Sequence, residues 1–258
     1  MANFRDGFPG ESYLTRIGLT HGEIDAADDR IGLLAGAQYA AVPFENLQIH
    51  QGVPVRADAA TVLRRTIDDE RGGICYDLNG TLHLALAALG LRTELVGAQV
   101  DSGDGFGPEL GHVALVVPSG DSRMRLVDVG FGGEMIDAHI DLDDPSSLVI
   151  DAGGARYLID PRFRALDEFD DMARWHSTSP RSRFTQSLIC TLPTHGGRRT
   201  LAGRIDPQTR EIVYREIGDF DGTREGLVLV DEEVSPLLFG LFGIRGGAPK
   251  VSVLAGQE

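Results

Sequence analysis

The hydrophobic pattern of this chain changes period once, close to Gly90, and that change limits the folds open to it. Up to Gly90 apolar residues recur at helical spacing. Glu11 to Ile17 reads as a short amphipathic helix, Ile24 to Tyr39 as a longer one, and Ala59 to Thr66 as a further turn or two. "VPFENL", Val42 to Leu47, interrupts the pattern with a proline. The clearest helix follows Gly72 and Gly73: Leu78, Leu82, Ala85, Leu86 and Leu89 fall on one stripe, and Gly90 supplies the stop. From Arg92 the period is two. "TELVGAQV", "HVALVVP" and "MRLVDVGF" read as strands separated by Gly-, Ser- and Asp-rich turns, and the loop Gly130 to Gly133 closes the block. Asp141 to Ile159 reads as acidic turns and short strands, Phe184 to Cys190 and Arg199 to Ile205 as strands, and Val234 to Phe242 as a short helix, while "GTREGL" carries only a weak helical signal. Helices first and strands later predict an α+β chain rather than a doubly wound sheet.

With 258 residues, 42% of them hydrophobic, the chain can bury a core without disulfides, as one large domain or two to three small ones. Two distant cysteines and the absence of a charged-then-apolar leader in "MANFRDGFPGESYL" predict a reducing, cytoplasmic setting. The apolar runs are too short to span a bilayer, so no membrane partner is expected. A formal charge of −15, with Lys250 the only lysine, predicts no nucleic-acid partner. The same acidity repels a polyanionic co-substrate, so any phosphate contact must come from local arginines or backbone N–H groups. His21, His50, His83, His139, His176 and His195 have no partners at zinc-like spacing, so no metal is expected. "GDGFGPELG" is neither a dinucleotide fingerprint nor a P-loop. Cys190 reads as core and the acidic run Asp167 to Asp171 as a solvated face.

Chemistry concentrates in "RGGICYDLNG", which sets Cys75 in the first turn of the clearest helix. Unpaired N–H groups and the positive end of the dipole favour a thiolate there, and Gly72 and Gly73 allow a tight turn with open space beside the sulfur. A small buried hydrophobe is the other reading of such a cysteine. A second pattern weighs on that choice. If "HVALVVPSGDSRMRLVDV" is a hairpin turning at Gly120, His112 stands directly across from Asp128, on a face with Ala114, Val116, Met124 and Leu126. A carboxylate there fixes the tautomer of an imidazole able to take the thiol proton, provided the register does not slip by one.

"VPFENL", "RGGICYDLNG", "GHVALVV", "LVDVGFGG" and "STSPRSRF", in this order, resemble the arylamine N-acetyltransferase family from the N-terminus to about Arg204. The resemblance implies a helical bundle over residues 1–91 carrying Cys75, a central antiparallel β-barrel over 92–183 carrying His112 and Asp128, and an α/β lid over 184–258, with a papain-like triad. It implies Cys75 as acylated nucleophile, His112 as base and Asp128 as orienting acid. Phe44 and Phe131 resemble pocket aromatics, with Gly132 beside them, and Phe184 a residue near a pantetheine arm. Glu45 and Arg71 match a charged pair supporting the motif with Gly72 and Gly73, for which a structural salt bridge is the better reading. The implied reaction is ping-pong: Cys75 takes an acyl group from a thioester, and an aromatic amine then forms the amide. No tightly bound cofactor is expected. Acetyl-CoA or an acyl-phosphopantetheine thioester serves as co-substrate.

Several residues depart from the family pattern. Tyr76-Asp77 replaces the usual Phe-Glu, Gly111 precedes the histidine, and "EMIDAHIDLDDP" follows "VGFGG" where acetyltransferases have a proline-rich stretch. Between Tyr157 and Ser177 the chain looks shorter by about a hairpin, which widens the expected cleft. These departures point to the amide-synthase branch, which closes a macrolactam on an aminobenzenoid-primed polyketide in ansamycin assembly, with the tethered polyketide as substrate and an acyl carrier protein as partner. A conventional acetyl-CoA-dependent arylamine N-acetyltransferase is the alternative. A cysteine hydrolase or a non-catalytic relic follows.

Overall fold

The computed structural model describes residues 4–246, apart from 6, 102, 104, 120–122, 154, 206–211, 221, 222 and 230. The helical part opens with α1 (Gly10–Ile17), α2 (His21–Ala26) and α3 (Arg30–Ala41). The single helix expected over 24–39 is therefore two, because Ala27 is extended and the Asp29 side chain accepts from Gly32 N–H to start a new helix. Next come β1 (Phe44–Glu45), α4 (Leu47–His50) and α5 (Ala59–Leu63), which runs into a π-helical turn, Arg64–Asp68. α6 (Cys75–Ala88) is the expected helix after the glycines, with Leu78, Leu82, Ala85 and Leu86 buried and Gly90 at φ +77° past its end.

Six strands follow: β2 (Glu94–Asp101), β3 (His112–Pro118), β4 (Arg123–Asp128), β5 (Ile136–Asp141), β6 (Val149–Asp151) and β7 (Arg156–Arg164). They form an antiparallel sheet in the order β5-β4-β3-β2-β7-β6. Strand alternation sorts its side chains. Leu95, Val113, Leu115 and Val127 join the core shared with the helices, whereas Val96, Ala98, Ala114, Val116, Met124, Leu126 and Tyr157 build a second core within the curl of the sheet. A 3-10 turn, Pro145–Leu148, packs against β5, β6 and β7, so the expected barrel takes the form of a curled sheet bridged at its edges by a turn.

The β3–β4 register differs from the expected one. Leu115 pairs with Val127 and Pro118 with Met124, two residues away from the pairing that sets His112 directly across from Asp128. A shift of two preserves the face, so both side chains still point into the curl as diagonal neighbours. The turn residue Gly120 lies outside the described residues.

After α7 (Asp170–Thr178) and α8 (Arg183–Gln186) comes a second sheet, with β8 (Ser187–Thr194), β9 (Gly197–Ile205), β10 (Ile212–Phe220) and β11 (Thr223–Leu229), and then α9 (Asp231–Phe242). The strand expected from Phe184 starts only at Ser187, because Ser182 Oγ accepts from Phe184 N–H and begins a helical turn. "GTREGL" lies in β11, except Gly222, which is outside the described residues. The acidic run 167–171 is no uniform solvated face: Phe169 is fully buried and Asp170 bonds Arg56 and the Ala57 N–H. β1 is an edge strand of this second sheet, with Phe44 opposite Thr191 and Glu45 opposite Cys190, which is buried as expected. The sheet thus contains residues from both ends of the expected 1–91, 92–183 and 184–258 division.

Candidate active site

Cys75 is the first residue of α6, and the chain before it is held by close backbone contact. Glu45 N–H donates to Gly73 O at 2.9 Å and Gly73 N–H to Pro43 O at 3.3 Å. A Cβ on Gly72 would stand 1.9 Å from Pro43 O, so only glycine fits there. Asp77 closes the first helical turn by accepting from Ile74 N–H at 3.1 Å.

Beneath this turn Glu45 is fully buried. Its Oε1 accepts from Arg65 at 2.7 Å and from Arg71 at 2.8 and 3.1 Å, while Oε2 accepts from Leu47 N–H at 2.7 Å. The expected Glu45–Arg71 pair is present. Arg65, which the sequence does not single out, completes it by also approaching Asp77 at 3.6 Å. Burial, reinforced by the Glu45 charge, pushes the Asp77 carboxyl up to about 6 against the pull of Arg65.

His112 begins β3 and Asp128 ends β4, both buried. His112 Nε2 lies 2.7 Å from Asp128 Oδ2. The Cys75 sulfur stands close enough to act on the ring electrostatically, and both groups line the same cleft. Burial pulls the imidazole down, but the charge of Asp128 and of the sulfur, with their hydrogen bonds, outweighs it and raises His112 to about 10. Burial likewise opposes the Asp128 charge. His112, the Asn79 amide and Gly130 N–H nevertheless hold its carboxyl below the usual range.

Two partners of Asp128 carry no signal in the strand pattern. Asn79, one turn along α6 from Cys75, donates to Asp128 Oδ1 at 2.8 Å and Val113 O at 2.7 Å, and accepts from Val129 N–H at 3.0 Å. Its i+4 spacing from Cys75 is the one mark that could have found it. Tyr157 OH donates to Asp128 Oδ2 at 3.2 Å, a contact made by the nonlocal pairing of β2 with β7. Gly130 lies tight against both functional elements: a Cβ there would meet Asn79 Nδ2 at 2.8 Å and Cys75 Cα at 2.9 Å.

Cys75 and His112 open onto a cleft of about 440 Å³, whose lining includes Phe44, Phe131, Gly132 and Phe184, the four expected pocket residues. Phe131 sets its ring edge-to-face with His112 at 5.3 Å, and Phe44 lies 6.0 Å from Phe184. Gly132 has φ +87°, and a Cβ there would press on the Phe44 ring at 3.0 Å. Trp175 and His176 of α7 add a wall that the sequence does not mark. His176 Nε2 donates to Gly111 O at 2.9 Å, and burial pushes this ring down to about 4, so it is neutral where His112 is cationic. Among the described residues no group of His, Cys, Asp or Glu is arranged to hold a metal ion, and no helix is long and apolar enough to cross a membrane. A sulfur at a helix start, a base with its carboxylate and an apolar slot together suit acyl transfer through a covalent intermediate.

A family model described as N-acetyltransferase matches residues 30–147 and 151–245. The arylamine N-acetyltransferase of Mycolicibacterium smegmatis is 31% identical over 74% of this chain and 79% of its own length. The arylamine N-acetyltransferase of M. tuberculosis superposes with a TM-score of 0.74 at 25% identity, covering 92% of this chain and 93% of that one. The Mycobacterium marinum enzyme, solved in complex with CoA, gives 0.73 at 26% identity, covering 91% and 92%. With this fold and these matches, the chain belongs to the arylamine N-acetyltransferase family and is an acyltransferase.

Proposed function

We propose that the protein transfers an acetyl group from acetyl-CoA to an arylamine through Cys75, with His112 moving the proton and Asp128 orienting His112. One observation carries this: a single imidazole lies 2.7 Å from a buried carboxylate and lines, together with the Cys75 sulfur that acts on it electrostatically, one largely apolar cleft. In the first half, the Cys75 sulfur attacks the thioester carbonyl carbon, the bond to the CoA sulfur breaks, and CoA leaves with the proton that His112 held. In the second, the neutral arylamine attacks the acetyl-enzyme, His112 takes the proton that the amine sheds, and Cys75 leaves as the amide forms.

The acetyl reading takes precedence over the expected macrolactam-forming amide synthase. It is supported by relatives that carry the arylamine N-acetyltransferase name and by a structural neighbour solved with CoA. An acyl carrier protein as donor has no comparable support. Intact mass after mixing with acetyl-CoA tests the acylation: the wild-type chain gains one acetyl group and Cys75→Ala gains none, and an acetylated Cys75→Ala chain refutes the assignment. The same assay with a long-chain pantetheine thioester separates the branches. Acetyl-CoA has the higher kcat/KM if the acetyl reading holds; the reverse order returns the protein to the amide synthases.

A further inference from the structure

The acidity of the chain poses a problem for a CoA-dependent enzyme, since a formal charge of −15 repels the phosphates of the donor. Among the described residues many cationic side chains are already neutralised: Arg56, Arg65, Arg71, Arg125, Arg156 and Arg164 each sit on a carboxylate. Arg183, Arg204 and Arg215 do not. Among the described residues none of the three has a carboxylate partner, all three are exposed, and all line one groove of about 780 Å³.

The groove is continuous with the catalytic cleft. Arg183, Ser187 and Ile189 line both. From there the outer face of the second sheet leads away by register: Arg204 on β9 pairs with Ser187 on one side and with Val213 on the other, and Arg215 on β10 pairs with Ala202. The opposite face, with Leu188, Cys190, Leu201, Ile212 and Tyr214, is buried with residues of α9. At about 4.8 Å between strands, Arg204 and Arg215 stand roughly 5 and 10 Å beyond the cleft wall formed by β8. Beyond the cleft, whose lining already includes Arg181 and Arg183, Ser187 and Ile189 of β8 form an uncharged step before the guanidinium groups of Arg204 and Arg215. That order matches a thioester whose reactive end is carried on a neutral arm and whose far end bears phosphates, which arginine holds by bidentate, charge-assisted hydrogen bonds.

We propose that Arg204 and Arg215, with Arg183 at the junction, bind the nucleotide phosphates of CoA and offset locally the repulsion of an acidic chain. This rests on the acetyl-CoA reading of the site and adds to it the residues that select a free nucleotide thioester. The test compares acetyl-CoA with acetyl-pantetheine, which has the arm but lacks the nucleotide, on the wild-type chain and on the double variant Arg204→Gln, Arg215→Gln. KM for acetyl-CoA rises roughly tenfold for each arginine lost, the rise shrinks with added salt, kcat holds, and KM for acetyl-pantetheine is unchanged.

An unchanged KM for acetyl-CoA, or an equal rise for both thioesters, overturns the proposal. So does a wild-type chain that treats the two alike and prefers an acetylated carrier protein, since the arginines then face an acidic protein surface. Calorimetric titration with CoA itself separates this proposal from the reading of Cys75. Arginine-dependent CoA binding by a chain that no thioester acylates keeps the groove and removes the catalysis; acylation with variant-insensitive CoA binding does the opposite.

Discussion

At the scale of single residues the site turns on how His112 stands between the Asp128 carboxylate and the Cys75 sulfur. Asp128→Asn tests that arrangement. The asparagine side chain keeps its shape but can present a donor to Nε2, which favours the wrong tautomer, and acylation slows by about a thousandfold or more while far-UV circular dichroism stays native. Wild-type turnover in that variant would remove Asp128 from the mechanism. Asp128 is also the first group that raises His112 to about 10 against the effect of burial, so the direction of the titration is fixed. The wild-type imidazolium persists through neutral pH and loses its proton as pH climbs toward about 10; in Asp128→Asn the midpoint moves down. Ring NMR signals of His112 report it, and a wild-type midpoint near the ordinary histidine value contradicts the coupling. The His112–Asp128 pair was legible because strand period places both on one face even when the register moves by two. Tyr157 was not, because nothing local marks a residue whose role is to hydrogen-bond another element's carboxylate, and Asn79 had only its i+4 spacing from Cys75 to mark it.

Among the elements α6 matters most, because it presents Cys75 and is fastened at two points. At its start Gly72 passes so close to Pro43 O that a methyl group would sit 1.9 Å away, and backbone cannot yield as a flexible side chain can. Gly72→Ala therefore destabilises the fold by about 1–3 kcal/mol or more, read from the denaturant midpoint. One turn in, Asn79 ties the helix to β3, to Val129 and to Asp128. Removing its amide in Asn79→Ala takes a partner from buried polar groups on two segments, β3 and the end of β4, and costs about 1–3 kcal/mol for each left unpaired. A shift in midpoint too small to measure would mean that the ties are dispensable. Elements with a long repeat, α6 and β2 to β4, were legible. Those that failed to show depend on short-range capping or distant pairing. Asp29 splits α2 from α3 and Ser182 turns residues 183–186 into a helix, each through one side-chain oxygen. β11 has strand form because β10 lies beside it, a partner that periodicity does not reveal.

On the scale of the whole molecule, the cleft needs the second sheet to stay in place, since Phe184, Ser187 and Ile189 form one wall while Cys75 and His112 form another. A division of the chain at residues 91 and 183 treats that wall as a separate piece, but β1 crosses the division and pairs with β8. The pin is Asn46, directly after β1. Its Nδ2 donates to Ser187 O at 2.8 Å and Phe184 O at 3.0 Å, its Oδ1 accepts from Ile189 N–H at 2.8 Å, and its own N–H donates to Ile189 O at 3.1 Å. "VPFENL" marked this stretch as an interruption of helical pattern, and only the fold shows that the interruption is a strand belonging to a sheet some 140 residues later. Asn46→Ala keeps the backbone pair and loses the three side-chain bonds, so local opening of the wall becomes easier by about 1–3 kcal/mol, a roughly 10- to 100-fold loss of protection for amides at the start of β8. Amides of β3 and β4 keep their protection, because their bonds lie within the other sheet. Hydrogen exchange followed by mass spectrometry distinguishes the two regions in one sample. Equal loss across both sheets would show Asn46 acting on global stability instead, whereas loss confined to β8 together with slower acetyl transfer makes it the residue that holds the cleft wall against the helix bearing Cys75.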